Sequence, residues 1–276
     1  MSDVLVIVPT YNEVENLTTI TSRVLDATDR VDILVVDDNS PDGTGALADE
    51  LAAASTRIHV LHRTMKSGLG DAYRAGFAWG LERDYVALIE MDGDGSHRPE
   101  QLPDLIAAVD QVDVVVGSRW VAGGGAPNWA LRRSLLSRGG SMYARAALGL
   151  PFRDVTGGYR AYRANALVAL GYQSVRAQGY CFQIEMLWRA HEAGLSIREI
   201  PIQFAERAAG ESKMNLSIVV EAVARVTVWG VANLPRRIAR AGRLRPAASL
   251  VGDANSADRA PLHGGLTAAH NLDGRD

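Results

Sequence analysis

The chain is poor in cysteine, with Cys181 alone in 276 residues. That excludes an internal disulfide and any zinc site built from several thiolates, and it suits a reducing compartment. Excess basic charge is missing too. Lys and Arg number 29 against 32 Asp and Glu, a formal charge of -3, so no global positive field recruits nucleic acid. The start lacks the look of a secretory leader, because residue 3 is Asp and a run of five apolar residues stops at Pro9. Neither familiar phosphate cradle is present: no GxxxxGK followed by Ser or Thr, and no strand-linked GxGxxG. Bound phosphate must then be gripped by a metal or by arginine. An uninterrupted membrane-length run is absent as well. The last apolar stretch, 216–234, carries Glu221 and Arg225 four residues apart, and the hydrocarbon core penalises both charges. It is expected to be a docked or interfacial amphipathic helix.

What is present is a repeating strand and helix pattern, in a composition (47% hydrophobic, 22% charged) ordinary for a globular protein. Near-continuous apolar runs at 4–8, 31–37, 84–91 and 112–118, with a weaker one at 57–62, read as parallel strands covered on both faces. Helical patterns lie between them at 13–27, 44–54, 68–82 and 99–110. This order predicts an α/β fold, a mostly parallel central sheet with helices on both faces, whose strand C-termini share one ligand-binding edge. Beyond it come a helix near 129–148, a loop over 151–160, a helix near 180–193 and a strand over 197–204. One domain is expected over 1–234, including the amphipathic helix at about 215–234. Residues 235–276 then form a tail, first basic through Arg236, Arg237, Arg240, Arg243 and Arg245, then small, polar and disordered from about 246. The basic part suits anionic lipid, where each cation is worth about 1 kcal/mol.

The densest chemistry lies at the strand ends. Residues 86–99, VALIEMDGDGSHRP, run from an apolar strand into Asp92 and Asp94 with only Gly93 between. Two carboxylates so close repel unless a cation neutralises them, and hard oxygen ligands suit Mg²⁺ or Mn²⁺. An Asp-Gly turn explains the same letters, and on these residues alone both readings stand. The first strand stops at Pro9, Tyr11 and Glu13 and the second at Asp37 and Asp38, so acids gather at three successive strand ends. Partly buried carboxylates need partners, which ribose hydroxyls and base N–H groups would supply.

In order along the chain, VPTYNEVENL, VVDDNSPDGTG, GLGDAYRAGF, EMDGDGSHRPE, GSRW, RRSLLSRG, DVTGGYRAYR, GYCFQIEM and ERAAGESKM resemble glycosyltransferase family 2, most closely its dolichol- or polyprenol-phosphate mannosyltransferases, over about 4–232. The resemblance implies a GT-A fold, GDP-mannose as donor and a polyprenyl monophosphate as acceptor. It places donor contacts on Pro9, Tyr11, Glu13, Val36, Asp38, Met91, Asp92, Gly93, Asp94 and Arg119. Arg207 and Lys213, flanking AAGES, would close a loop over the diphosphate. The divalent metal falls on Asp92 and Asp94. Where relatives often have a further glutamine ligand this chain has Ser96, so a hydroxyl or water would complete the shell. The acceptor phosphate falls on Arg119, Arg133 and Ser137, the last two on one helical face, and the catalytic group on Asp94, Arg119 and Arg133. The implied location is peripheral on the cytoplasmic face of a membrane, with a separate membrane-anchoring protein as a candidate partner.

Three features have folding roles to weigh against functional ones. Asp154 and Arg160 fall near where the acceptor or sugar should lie, but their pairing within the loop would serve folding equally well; His97 is expected to be a hydrogen-bonded structural histidine; and Trp129, Tyr143, Trp188 and Trp229 could border a lipid path but are expected mainly in the core. Rival functions are glucosyl transfer to the same lipid, a nucleotidyltransferase, which also uses strand-end aspartates and a metal, and a noncatalytic subunit. An N-terminal Gly-rich loop with Arg and Lys, needed by the second, is lacking, and intact DGD, GSRW and GESK stretches disfavour the third.

Overall fold

In the computed structural model, which describes residues 2–206 and 216–243, the sheet is built outward from β1 (Val4–Thr10). Val4 to Val8 are fully buried, and successive side chains feed opposite faces. Val4, Val6 and Val8 enter one core layer with side chains of α1 (Val14–Ala27), α2 (Thr44–Ala54) and α4 (Leu102–Val109). Leu5 and Ile7 enter the other, with α3 (Leu69–Leu81), α6 (Ala164–Leu170) and α7 (Gly179–Glu192). This two-sided burial is why the strand sequences are continuous apolar runs and not alternating ones.

Around β1 lie β2 (Val31–Asp37) and β4 (Ala87–Glu90), both parallel to it, with Val4 in register with Val31 and Ala87. β3 (Ile58–His62) extends one side, and β5 (Val114–Ser118), β6 (Arg160–Arg163) and β7 (Ile197–Pro201) complete a seven-stranded sheet of order β3-β2-β1-β4-β6-β5-β7. The sequence places 151–160 in a loop followed next by a helix near 180–193, with no strand between, whereas β6 is inserted antiparallel between β4 and β5. Its four residues, with Arg at both ends, are too few to show an apolar period. Running opposite to its neighbours, β6 begins at the edge where β4 ends, Arg160 facing Glu90, and so delivers the preceding loop to the ligand edge.

Helix α3 lies close to the sheet. A Cβ on Gly76 would stand 2.5 Å from Ile7 Cγ2, and one on Gly80 would stand 2.5 Å from Leu88 Cδ2. Alanine at 76 gains about 1 kcal/mol of helix propensity but overpacks a rigid β-branched neighbour at about 1–3 kcal/mol. Gly76→Ala is therefore expected to lower the urea midpoint, and an unchanged or raised midpoint would show that the helix can lift away freely.

A third apolar cluster joins α5 (Leu131–Leu148), α7 and α8 (Leu216–Arg243) through Ala144, Leu148, Ile184, Leu187 and Val226. Tyr143 Oη and Thr227 Oγ1 share a 2.6 Å hydrogen bond, and Trp188 and Trp229 stack at 5.8 Å. The helix expected to end at 234 continues through Pro235. Among the described residues no helix is long and apolar enough to cross a membrane. One compact unit spans Met1–Pro235, and the chain divides after it. Most of the expected disordered tail, from residue 244 onward, lies outside the described residues.

Candidate active site

The C-terminal ends of β1, β2 and β4 open into a polar cleft whose walls include Pro9, Tyr11, Glu13, Asp38, Asp92, Gly93 and Asp94. Adjacent aspartates at the end of β2 divide their work. Asp37 accepts from Thr10 Oγ1 at 3.0 Å and from the Ser40 backbone N–H and hydroxyl at 3.0 and 2.5 Å, so it ties the strand to the following turn. Asp38 faces the cleft, 6% exposed, and pairs with Arg63 at 2.6 Å. Burial pushes the Asp38 carboxyl up, outweighing the Arg63 charge that opposes it. Of the two acids at the end of β2, Asp37 is thus accounted for by folding and Asp38 is not.

Val36 and Met91, from the expected donor-contact set, stand at the strand ends with only their backbone toward the ligand edge. Both side chains are fully buried in the two core layers and neither lines the cleft. Their neighbours turn outward because the strands end there. Gly93 sits where a Cβ would come within 3.3 Å of Val8 Cγ1, so the two aspartates are carried on backbone pressed against β1. The Ser96 N–H donates to Asp94 Oδ1 at 3.0 Å, fixing a carboxylate that is 5% exposed. His97 is buried and stacked on Tyr159 at 4.8 Å. Its Nδ1 accepts from the Asp92 N–H at 3.0 Å and burial lowers its pKa, so the ring is a neutral structural acceptor. Beneath them Glu90 is fully buried, its pKa raised to about 8 by desolvation against the opposing charge of Arg160.

The donor set suits a hard divalent cation. Asp92 and Asp94 offer carboxylate oxygens, and Ser96 Oγ is buried without a hydrogen-bond partner. Among the described residues no three His, Cys, Asp or Glu stand together as a metal cage, so such an ion would draw other ligands from substrate phosphate and water.

Arg119, past the end of β5, is 5% exposed and gripped by a fully buried Asp154, with Nε and Nη2 each 2.7 Å from a carboxylate oxygen. Burial alone would raise the Asp154 carboxyl; the charge and hydrogen bonds of Arg119 outweigh it and hold it below the usual range. The expected pairing of Asp154 with Arg160 is therefore corrected. Arg160 is fully buried and donates to the carbonyls of Val155, Gly157 and Gln183, bracing the loop ahead of β6.

A second, largely apolar groove runs between α5, α7 and α8, lined by Leu136, Tyr143, Ile184, Val223 and Val226 among others. It shares Arg119, Trp129, Arg133, Thr156 and Tyr180 with the polar cleft. Ser137 lines the groove and not the cleft. Trp129 and Tyr143, expected in the core, also line cavities, while Trp188 and Trp229 pack on the core as expected. Arg207 and Lys213 lie outside the described residues.

One cleft residue and one residue bonded to the cleft wall escaped the sequence. Lys66 lines the cleft with Nζ 3.7 Å from the centre of the Tyr11 ring, and Arg63 holds Asp38. Both follow β3, so the rule that ligands sit at strand C-termini was the available signal.

Residues 5–171 match the glycosyl transferase family 2 domain. An undecaprenyl-phosphate mannosyltransferase of Micrococcus luteus is 55% identical over 83% of this chain and 94% of its own length. A polyprenol monophosphomannose synthase of Mycolicibacterium smegmatis is 55% identical over 82% and 86%. Among solved structures, glucosyl-3-phosphoglycerate synthase of Mycobacterium tuberculosis, complexed with Mn²⁺, UDP and its product, aligns with TM-score 0.58 at 19% identity over 82% of this chain and 77% of that one. A Pyrobaculum calidifontis mannosyltransferase bound to GDP-mannose and Mn²⁺ aligns with TM-score 0.52 at 17% identity, over 90% and 76%. The fold is GT-A, and with its strand-end aspartates set in that sheet the chain belongs to glycosyltransferase family 2.

Proposed function

We propose that the protein transfers mannose from GDP-mannose to a polyprenyl monophosphate, giving polyprenyl phosphate mannose and GDP. The observation that carries this is the meeting of two unlike cavities, a polar cleft with paired aspartates and an apolar groove, at Arg119 and Arg133. A nucleotide sugar suits the first, an isoprenoid chain the second, and the reacting phosphate belongs at the arginines between them. The curated relatives act on the same class of acceptor by their names.

In this proposal Tyr11, Glu13 and Asp38 hold the nucleoside, and Asp92 and Asp94 hold Mg²⁺ or Mn²⁺ near the diphosphate. When bound, such an ion neutralises charge on the departing GDP. Lys66 would leave the Tyr11 ring to meet the phosphates, joined by Arg207 and Lys213. Arg119 and Arg133, with Ser137, orient the acceptor. A phosphate monoester, with its second pKa near about 6, is already largely ionised at neutral pH and needs little help from a base. The neutral, internally bonded His97 fits that requirement. Positioning and charge neutralisation then carry the rate. The acceptor oxygen forms its bond to the anomeric carbon as the bond to GDP breaks, inverting that carbon to a β-mannosyl phosphate.

The acceptor lies in a bilayer, and the proposal includes peripheral docking on its cytoplasmic face. Leu131, Leu135 and Met142 of α5 and Val220, Val228 and Val231 of α8 are exposed, beside the exposed cations Arg132 and Arg138. Such faces enter the interfacial region and favour anionic leaflets. The test uses vesicles of anionic lipid carrying a polyprenyl phosphate, Mn²⁺ and a panel of nucleotide sugars. A β-mannosyl lipid from GDP-mannose, with the protein sedimenting on the vesicles, is expected. Glucosyl lipid, an α-linked product by NMR, or GTP consumption with pyrophosphate release would each overturn this assignment.

A further inference from the structure

Where the cleft and the groove meet, Arg119 and Arg133 stand against aromatic rings, and Arg138 lies on a neighbouring one. The Arg133 guanidinium lies over Trp129 at 4.1 Å from the ring centre, and Arg138 lies over Trp120 at 4.5 Å. Arg119 is 5.2 Å from the Trp129 ring and 5.5 Å from that of Phe204. Their charge balance is uneven. Asp154 neutralises Arg119, whereas Arg133 and Arg138 meet no carboxylate among the described residues. Of the two arginines that line both cavities, Arg133 is therefore the one whose charge no ion pair among the described residues offsets.

Trp129 is itself fixed. Phe204 meets its ring edge-on at 5.2 Å and 77°, Trp120 meets it at 6.4 Å and 69°, and Phe204 is tied to the sheet edge by its N–H to the Gly125 carbonyl at 2.8 Å. A carboxylate could immobilise Arg133 equally well, but it would cancel the charge and occupy the fork of N–H donors. An aromatic face holds a guanidinium through its quadrupole and leaves those donors for an incoming anion.

We infer that Trp129 is a positioning residue of the acceptor site: its indole face holds Arg133 at the junction, charged and with its hydrogen-bonding edge unclaimed, for the phosphate of the lipid acceptor. This rests on the acceptor assigned above. Trp129 acts through Arg133 and touches no reacting atom in this account. Arg119, whose Nε and Nη2 are both taken by Asp154, has its charge neutralised and its guanidinium fixed in place, while Arg133 is the adaptable grip.

The test is a double-mutant cycle in the full-length chain, assayed in vesicles for transfer from GDP-mannose. Trp129→Leu is expected to raise the KM for polyprenyl phosphate about tenfold, as loss of a partly buried cation–π contact implies, with the KM for GDP-mannose within about twofold. Trp129→Phe keeps an aromatic face and is expected to recover most of that loss. In an Arg133→Ala background, Trp129→Leu should add little, because the residue it positions is gone. Equal penalties with and without Arg133, or a KM for donor that rises in step with that for acceptor, would overturn the inference. So would Trp129→Phe proving as poor as Trp129→Leu. A wild-type chain that transfers no sugar to any polyprenyl phosphate would instead end the functional assignment, and this inference with it.

Discussion

Asp94→Asn is expected to lower turnover at least about 1,000-fold, a loss of roughly 4 kcal/mol of transition-state stabilisation, while leaving the fold intact. The amide preserves size and an oxygen that can still accept the Ser96 N–H, now made at 3.0 Å to Asp94 Oδ1, so local geometry should persist. What disappears is half the negative charge offered by the pair. Asp94 is the more consequential member because it is 5% exposed, whereas the Asp92 side chain is 32% exposed and water can replace part of its contribution. Two measurements separate charge from structure. Circular dichroism and thermal melting should match the wild type, and Mn²⁺ binding in the presence of GDP, followed by electron paramagnetic resonance, should weaken sharply. Wild-type turnover from Asp94→Asn would remove the metal assignment altogether.

The order of strands at the site was legible because each is an apolar run ending in punctuation. β1 closes on PTYNE, β2 on DDNSPDG and β4 on DGDGS, and parallel topology puts those endings side by side. What pairs with what at that edge was not legible. Asp37 and Asp38 are adjacent letters of one type, yet strand alternation points one at Thr10 and Ser40 and the other into the cleft. Asp154 finds Arg119 at a separation of 35 residues and not Arg160, six residues away, because antiparallel β6 turns Arg160 into the core. Positions named by the resemblance mark backbone as well as side chains. A match at Val36 or Met91 records where the backbone passes, and in this sheet their side chains fill the core layers. Trp129 was legible only as core or as the border of a lipid path, and nothing in the sequence showed that it faces two cavities and Arg133.

Asp154→Ala is expected to destabilise the protein by about 3–5 kcal/mol, the usual cost of stranding one member of a buried ion pair. Asp154 is fully buried and accepts from the Arg119 backbone N–H, Nε and Nη2 and from the Gly157 N–H, so alanine leaves a guanidinium and two amides without their acceptor. For a chain of this size that loss lowers Tm by on the order of 10 °C. Removing both charges should behave differently. Arg119→Met with Asp154→Leu is expected to regain much of the lost stability, because a buried pair replaced by apolar side chains of similar volume is often neutral or better. It should remain inactive, because the acceptor site proposed above then lacks the guanidinium that Asp154 holds in place. The pH dependence carries the same sign information. The Asp154 carboxyl is held below its ordinary value of about 3.9, so its contribution is complete above that pH and is lost as pH falls through the lower folded-state value. Asp154→Asn should accordingly flatten the acid limb of the wild-type stability curve below about pH 4. If Asp154→Ala melted within about 1 kcal/mol of the wild type, Arg119 would have to find another anion or water at no cost, and the rigid half of the phosphate site would lose its physical basis.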